Sequence, residues 1–283
     1  MKKLFLLLFL LTNLSFAKLE VAVSLAPQKV FVEKIGAEQV NVTVIVEKGS
    51  SPHDYEPKPS QMKDISKATV YFAMGVEFEN IWLYRFQNVN KKLLFVDSTR
   101  GMEKYHVKHI CTAHGHNKHT HEKIDPHVWV DPINVKVIAK NVYETLVALD
   151  EENKAEYLKN YEAYLNELDT LHKELQEILK DTPKNSAFMV FHPSWGYFAK
   201  RYDLRQLPVE VEGKEPKMKA LVALIEQAKK EKVHAIFTQP EFSDKASKNI
   251  AKSLNIEVIK ASPLASNWAE NLKMLAKAIA QKK

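Results

Sequence analysis

The chain has very little of what many enzymes and secreted scaffolds depend on. Its single cysteine, Cys111, cannot form an internal disulfide, so stability in an oxidising compartment must come from packing. Only 7 of its 283 residues are glycine, which disfavours loops that cradle phosphate groups. The motifs HExxH, GxSxG and CxxC and the P-loop signature are all absent. These absences argue against several common classes of hydrolase, nucleotide-binding protein and redox protein.

Charge is spread through the chain and does not collect in one place. The 41 Lys and Arg residues outnumber the 35 Asp and Glu residues, which gives a formal net charge of +6. No basic cluster is interleaved with aromatic residues, so we expect no nucleic-acid partner. A composition of 45% hydrophobic and 27% charged residues is typical of a globular protein with one large or two modest domains.

The one long apolar run lies at the N terminus, where residues 1–17 have the pattern of a secretory signal peptide. Lys2 and Lys3 form a positive start, residues 4–11 are apolar but too few to span a bilayer, and residues 15–17 form a small-x-small cleavage site. We expect cleavage after this site, a mature net charge of about +4 and release into the periplasm. Retention as an anchor is the alternative, although no cysteine follows the run as a site for lipid attachment.

Residues 150–182 contain no glycine or proline and predict one long helix. Mostly apolar side chains recur in this segment at alternating steps of three and four residues, which places them on one helical face. They are Leu158, Tyr161, Leu165, Leu168, His172, Leu175 and Leu179. Asp150 is suited to cap the first turn and Pro183 to end the helix. The helix would be about 45 Å long, roughly the width of a small domain.

A helix of this length must either join two parts of the chain or pair with a second copy. We favour a spacer between two lobes, because residues 18–149 and residues 183–283 each have the size and pattern of an α/β domain. We therefore expect a monomer. A dimer held by a coiled coil is the alternative. An adhesin or coiled-coil structural protein is a third class of function, and this helix is the only evidence for it.

Short strands rich in Val, Ile and Phe alternate with helices on both sides of the long helix. Strands are predicted at residues 19–25, 41–47, 68–75, 92–98, 186–192, 204–212, 235–240 and 256–261. Helices are predicted at residues 27–36, 78–89, 133–149, 194–202, 216–232, 244–254 and 268–280, with Asp131 capping the third of them. The pattern predicts an α/β fold of two lobes, whose central parallel sheets are flanked by helices and joined by one long rigid backbone helix.

Three histidines follow or adjoin the ends of predicted strands. His53, His127 and His192 each stand beside a proline that stiffens the local loop, and they come from both lobes. Ligands of open α/β sheets bind at the carboxyl ends of the strands. Imidazole is a common neutral ligand of zinc, so the joint pattern predicts a cation site in the cleft. Taken singly, each histidine would more often be a hydrogen-bonded loop or core residue.

A second group of histidines lies in a tract at residues 104–123. Its members are His106, His109, His114, His116, His119 and His121. Such a composition is typical of weak, overlapping metal sites, and we interpret it as compositional bias without a fold of its own. A polar loop without a role is the alternative. Cys111 would either join the imidazoles as a soft ligand or simply be buried.

Four segments together resemble a known family. They are SPHDYEPKPSQM (51–62), DPHVWVDP (125–132), FHPSWGYFAKRY (191–202) and IFTQPEFSDKAS (236–247). The resemblance is to the cluster A-I, or cluster 9, metal-binding proteins of ABC transporters, and within them to the zinc-uptake (ZnuA) type. It covers essentially the whole mature chain. It implies two α/β lobes with Zn²⁺ between them, a rigid helix that limits lobe motion, delivery to the membrane permease of a zinc ABC transporter, and His53, His127 and His192 as the ligands.

The resemblance also indicates where this chain departs from its relatives. Manganese-type members are expected to have a carboxylate in place of His192, and an imidazole there favours zinc, although a manganese or iron protein of the same family is the alternative. Ser262 stands where the family usually has an Asp as fourth ligand, and Gln239 where it usually has a Glu. The fourth position is thus left to water, to Glu241 or to a histidine of the tract.

An enzyme is the competing class of function. Three histidines with an open fourth position also form catalytic zinc sites, in which the metal activates a water molecule. A zinc-dependent hydrolase would need a general base near the metal, and Asp54, Glu56 and Glu241 are the loop carboxylates available for that role. Because no hydrolase motif accompanies them, we expect a binding protein and no enzymatic activity.

Overall fold

The computed structural model describes residues 18–110, 120–210, 214–242 and 244–281. The strands are β1 (Leu19–Val23), β2 (Val40–Val44), β3 (Val70–Ala73), β4 (Leu94–Asp97), β5 (His106–Ile110), β6 (Thr120–Ile124), β7 (Ser186–Val190), β8 (Leu204–Pro208), β9 (Ala235–Thr238) and β10 (Glu257–Lys260). The α-helices are α1 (Ala26–Gly36), α2 (Pro59–Ile65), α3 (Glu79–Val89), α4 (Pro132–Leu149), α5 (Lys154–Leu179), α6 (Gly196–Arg201), α7 (Met218–Lys230), α8 (Lys245–Leu254) and α9 (Trp268–Ala280).

Each lobe has a parallel four-stranded sheet. The order is β2-β1-β3-β4 in the first lobe and β10-β9-β7-β8 in the second. In the first sheet Val21 of the central strand β1 pairs with Val42 on one side and with Val70 on the other, and all three are buried. Strands whose two faces are both covered by helices need apolar side chains throughout, which explains their short Val- and Phe-rich runs. The predicted two-lobed α/β fold is confirmed.

Helix α2 has no counterpart among the predicted elements. Its first residue is Pro59, whose fixed φ suits the start of a helix, and the Gln61 side chain accepts a hydrogen bond from Lys58 N at 2.8 Å. These two signals are present in the sequence. At seven residues the helix is too short to display an apolar period, so the pattern did not reveal it.

The ends of the histidine-rich tract do have regular structure, contrary to our interpretation. Strands β5 and β6 form an antiparallel ribbon in which His109 is the register partner of His121. Their sequences HVKHI and THEKI contain the β-branched residues that favour strands. His106 also lies on the ribbon, whereas Cys111, His114, His116 and His119 lie outside the described residues.

The long helix α5 begins four residues later than predicted. A 3₁₀ turn, Glu151–Asn153, precedes it, so Asp150 does not cap it. The Asp150 carboxylate instead accepts hydrogen bonds from Asn153 Nδ2 at 2.8 Å and from the Tyr157 hydroxyl at 2.6 Å. These bonds fix the turn between α4 and α5. Asp131 does cap α4 as predicted, because its side chain accepts from Ile133 N.

Helix α5 joins the two lobes and packs against both, with α1 and α4 of the first lobe and α9 of the second around it. Its buried residues are Tyr157, Tyr164, Leu168, Leu171, Leu175 and Leu179. The predicted stripe is therefore right at Leu168, Leu175 and Leu179 and wrong at Leu158, which is 39% exposed. Helices on several sides of α5 decide which residues it buries, so a single stripe describes it poorly. The apolar side chains are covered within this chain, as expected of a spacer.

Ion pairs from both lobes also reach α5. Lys34 and Lys136 of the first lobe pair with Glu167 and Asp169 at 2.6 and 2.5 Å. From the second lobe, Lys273 of α9 pairs with Glu174 at 3.2 Å. Exposed pairs of this kind each stabilise a fold only slightly, but they show that the helix is attached along its length to both lobes.

Two tryptophans connect the lobes directly. Trp129, which precedes α4, donates its indole N–H to the carbonyl of Pro263 in the second lobe at 2.8 Å. Trp268 at the start of α9 donates to the carbonyl of Trp129 at 2.9 Å, and its ring meets Phe31 of α1 edge-on at 5.1 Å. Both indoles are almost fully buried. Rotation of one lobe against the other would break both hydrogen bonds inside a dry interface, which is costly.

This packing predicts only small lobe movements when a metal binds. A helix attached to both lobes and two cross-lobe indole bonds leave no soft joint for a wide hinge. Small-angle X-ray scattering of the metal-free and zinc-loaded protein should give the same radius of gyration within error. A decrease of several ångströms on adding zinc would contradict the prediction.

Candidate metal centre

The structure brings the three predicted histidines together between the lobes. His53 lies in the loop from β2 to α2, and His192 directly follows β7. His127 follows β6, which belongs to the two-stranded ribbon. His53 and His192 instead follow strands of the two central sheets. One ligand atom from each of the three side chains lies within 4.8 Å of the other two.

The arrangement of the rings suits a small tetrahedral ion. The Nε2 atoms of His53 and His192 are 3.0 Å apart. Ring centroids are separated by 4.7 Å for this pair, by 5.4 Å for His127 and His192, and by 6.3 Å for His53 and His127. Zinc bound to nitrogen at about 2.0–2.1 Å places its donors roughly 3.3 Å apart. Small rotations of the rings would therefore complete three sides of the tetrahedron.

Each imidazole has a carboxylate at its other nitrogen. His53 Nδ1 lies 2.9 Å from Glu77 Oε2, His127 Nδ1 lies 2.7 Å from Asp125 Oδ1, and His192 Nδ1 lies 2.9 Å from Glu210 Oε1. A carboxylate at Nδ1 holds the proton there and leaves Nε2 with its lone pair free. The hydrogen bonds of His127 and His192 therefore fix the tautomer that a metal requires, and Glu77 lies at ion-pair distance from the same nitrogen of His53.

The pair of His127 and Asp125 depends on the second lobe. Asp125 Oδ1 also accepts from His127 N at 3.0 Å, and both side chains are buried. Gly196 of α6 makes room for this carboxylate, because a Cβ there would lie 2.7 Å from Asp125 Oδ2. Tyr197 donates its hydroxyl to the Asp125 carbonyl at 3.1 Å. One side of the first-lobe ligand loop is thus shaped by the start of α6.

His192 is held by the loop that follows β9. Gln239 Oε1 accepts from His192 N at 3.3 Å, and Gln239 Nε2 donates to Ser194 Oγ at 2.6 Å, so this amide supports the ligand loop. The ring of Phe242 stacks on the imidazole with centroids 4.9 Å apart. Burial lowers the pKa of His192 below its usual value, although the Glu210 carboxylate opposes that effect. The neutral form that binds a metal is therefore favoured.

Glu241 lies in the wall of the cavity beside the histidines and is bonded to Ser262. Ser262 Oγ donates to Glu241 Oε1 at 2.9 Å, and Glu241 lines the small cavity that the three histidines share. Glu241 is not part of the set of ligand atoms within 4.8 Å of one another. Burial raises the pKa of its carboxyl. Asp54 and Glu56, the other carboxylates considered as a base, are exposed and do not line this cavity.

Sequence reasoning assigned none of the three supporting carboxylates, although one of them could have been found. Asp125 belongs to the DPH motif and could have been assigned from its position two residues before His127. Glu210 comes from a different loop, 18 residues away from its histidine in the chain. Glu77 precedes α3, likewise far from His53. Only the fold brings these residues together, and no local pattern marks them.

The base of the histidine ribbon lies close to this centre. Tyr105, which precedes β5, stacks on Tyr197 with ring centroids 4.6 Å apart, and Lys200 Nζ lies 3.2 Å from the Tyr105 ring centroid. Tyr105 also accepts a main-chain hydrogen bond from Asp125 N at 2.9 Å. The ribbon therefore starts beside the loop of His127 and is attached to the second lobe through α6.

Two α/β lobes joined by one helix, with imidazoles from both lobes in the cleft, form the architecture of a protein that binds a metal ion between its lobes. The chain belongs to the family described as zinc-uptake complex component A, periplasmic (ZnuA), whose model matches residues 21–282. Members of this family are substrate-binding components of transporters and not enzymes, which confirms the expected class and excludes the hydrolase alternative. Among the described residues, no helix is both long and apolar enough to cross a membrane.

Solved structures and curated relatives agree with this assignment. A crystal structure of ZnuA superposes with a TM-score of 0.85 at 38% identity, covering 93% of this chain and 98% of that one. The manganese ABC transporter substrate-binding lipoprotein ScaA of Streptococcus gordonii is 30% identical over 87% of this chain and 80% of its own length. The zinc-binding protein AdcA of Streptococcus pyogenes serotype M3 is 27% identical over 89% of this chain, which matches 51% of AdcA. The relatives thus include proteins named for zinc and for manganese.

The pairing of His192 with Glu210 generates a prediction. Glu210→Gln keeps the size and an acceptor oxygen but removes the charge that holds the imidazole tautomer, so zinc affinity should fall by about 10- to 100-fold. Competition with a chromophoric chelator measures the change. Glu226→Gln, on the exposed side of α7, removes the same charge far from the site and should have no effect. Equal affinities for the two variants would show that Glu210 does not support the ligand.

Proposed function

We propose that this protein captures Zn²⁺ outside the cytoplasmic membrane and delivers it to an ABC permease for import, with His53, His127 and His192 as ligands. The observation that carries the proposal is the convergence of three imidazoles, each with a carboxylate at Nδ1, in one small cavity. Imidazole donors suit zinc, whereas manganese prefers carboxylate and other oxygen donors. A solved structure of a ZnuA deletion mutant with zinc bound, 38% identical to this chain, supports the same ion.

The charge around the cavity also supports a divalent cation. Glu77, Asp125 and Glu210 stand behind the three histidines, and Glu241 lines the cavity itself. Carboxylates gathered around neutral imidazoles leave a negative potential at the centre. A bound Zn²⁺ offsets part of that charge, so the metal should stabilise the joined lobes as well as occupy the site.

Manganese is the second candidate cargo. The manganese-named relative in Streptococcus gordonii favours it, and Glu241 offers an oxygen donor of the type that manganese prefers. The donor count still favours zinc, because three imidazoles outnumber one carboxylate. Competition between Zn²⁺ and Mn²⁺ for the metal-free protein decides between the two cargoes.

The proposal includes secretion of the protein and its location in the periplasm. Residues 1–17, which lie outside the described residues, would direct secretion and be removed, leaving a monomer in the periplasm. The Streptococcus gordonii relative is named a lipoprotein. In this chain no cysteine stands near the predicted cleavage site, so we infer release instead of lipid attachment. Electrospray mass measurement of the secreted protein, expected to lack residues 1–17, tests this step.

Removal of any one cleft histidine should weaken tight zinc binding by at least about tenfold, because two imidazoles then remain and water must complete the site. His53→Ala, His127→Ala and His192→Ala are each compared with the wild type by isothermal titration against a competing chelator. His234→Ala is a matched control, since His234 is exposed and does not line the site cavity. An unchanged affinity in one variant would remove that residue from the ligand set.

The histidine ribbon should bind zinc weakly and be dispensable for the tight site. Ordering a loop around an ion costs about 1–2 kcal/mol per residue fixed, so its sites are weaker than a preformed cleft. A deletion of residues 104–123 would remove Tyr105, which stacks on Tyr197. A sharper variant replaces residues 108–122 with Asn-Gly, because Val107 and Lys123 are register partners that a two-residue turn can join.

Native mass spectrometry should then show that the weaker zinc ions are lost and the tightest one is retained. A variant of full length, with glutamine at the five histidines between residues 108 and 122, is the matched control for loss of the loop itself. Loss of the tight ion in both variants would mean that a ribbon histidine supplies the fourth ligand. The weak sites should also fade below about pH 6.5, the ordinary pKa of a histidine side chain, because a protonated imidazole cannot bind a metal.

A further inference from the structure

The carboxyl group of Glu241 has one oxygen in use and one oxygen without a partner. Oε1 accepts the hydrogen bond from Ser262 Oγ at 2.9 Å. Oε2 is buried, and among the described residues no donor reaches it. A buried polar oxygen without a partner is unfavourable and rare in folded proteins. Because Glu241 lines the cavity of the three histidines, a cation in that cavity is the partner that fits this oxygen.

Ser262 is itself fixed from two sides. Its hydroxyl oxygen accepts from Leu264 N at 3.1 Å, and its carbonyl accepts from the buried side chain of Asn271 at 2.9 Å. The hydroxyl proton is therefore directed at Glu241 Oε1. This hydrogen bond keeps Oε1 at the wall of the cavity and leaves Oε2 as the oxygen that can turn toward an ion.

Within the part of the chain that the structure describes, no other side chain of the cavity wall is available to give an oxygen ligand. Gln239 uses its carbonyl oxygen for His192 N and its amide for Ser194. The Trp129 indole donates to the Pro263 carbonyl. The remaining wall residues apart from the histidines and Glu241 are Pro52, Phe242, Pro263 and Leu264, whose side chains offer no metal ligand.

The segment that carries Glu241 is also positioned against a ligand. Gln239 is bonded to the main chain of His192, and Phe242 stacks on its ring. Glu241 lies between these two anchors in sequence, so it stays beside His192 while its own side chain can rotate. Since its oxygens lie outside the 4.8 Å set of donors, such a rotation must carry Oε2 toward the ion.

We infer that Glu241, held by Ser262, is the fourth protein ligand of the ion and completes a site with three nitrogens and one oxygen. The inference rests on the proposed function. It gives each lobe two ligands, His53 and His127 from the first and His192 and Glu241 from the second. Because Glu241 is the ligand that must move, it is also the one whose withdrawal opens the site for release.

The test compares substitutions at Glu241 in the full secreted protein, with Zn²⁺ and Co²⁺ as the probes. Glu241→Gln should weaken zinc affinity by about tenfold or more and change the visible absorption of bound Co²⁺, which reports its ligand set. Glu241→Asp keeps the charge but shortens the reach, so it should also weaken binding. A carboxylate that acted only through its electric field would leave the Asp variant like the wild type.

A rescue variant and controls complete the design. In the double variant Glu241→Gln, Ser262→Asp, a carboxylate is introduced at the residue whose Oγ lies 2.9 Å from Glu241 Oε1, so part of the lost affinity should return. Glu226→Gln controls for the change in net charge. Wild-type affinity and an unchanged Co²⁺ spectrum in both Glu241→Gln and Glu241→Asp would overturn the inference. His192→Ala tests the proposed function separately from the role of Glu241. This variant should lose tight zinc binding if the proposed function holds and keep it if that function is wrong.

Discussion

The two indole hydrogen bonds between the lobes set the geometry on which the metal centre depends. Trp129 and Trp268 each donate to a carbonyl group, and together these bonds link the loop after His127 to the loop that contains Pro263. The Trp129 ring also lies 5.2 Å from the His127 ring. A site whose donors come from two separate sheets needs the lobes to hold one relative position. Helix α5 holds that position over a long distance, and the indoles hold it beside the ligands.

The same rigidity explains how the fold can hold ligands from two separate lobes in one arrangement. One ligand atom from each of the three imidazoles already lies within 4.8 Å of the other two. The carboxylates behind them fix the tautomers, and burial favours the neutral form of His192. Little ordering is then left to occur when the ion arrives, so more of the intrinsic attraction between ion and ligands is retained as affinity.

Much of the architecture could be predicted from the sequence because the two α/β lobes have strong local signals. Runs such as Leu19–Val23 and Ser186–Val190 are short, mostly apolar and followed by helical periods, a pattern that indicates parallel strands. The cleft histidines were found because each stands beside a proline at the end of an element. Asp131 was found because a cap acts on residues next to it.

The parts that could not be predicted depend on contacts between distant segments. Nothing in the sequence distinguishes Glu77 and Glu210 from ordinary surface carboxylates. Only in the folded chain do they lie beside His53 and His192. The buried side of α5 follows from the positions of helices in both lobes, so Leu158 lies outside although its spacing fits the stripe. The ribbon at β5 and β6 was not predicted because the many histidines of this tract indicated low complexity. The strand signal of Val107 and Ile110 was too short to outweigh that composition.

Gly196 shows how a missing side chain in one lobe belongs to the metal site of the other. A Cβ at this position would lie 2.7 Å from Asp125 Oδ2 and 3.3 Å from Gln206 Nε2, so any other residue would push against the carboxylate that orients His127. A larger residue 196 would require a shorter residue 125, or it would displace the carboxylate that supports His127. The side chains possible at the start of a helix in one lobe are thereby limited by the metal chemistry of the other lobe.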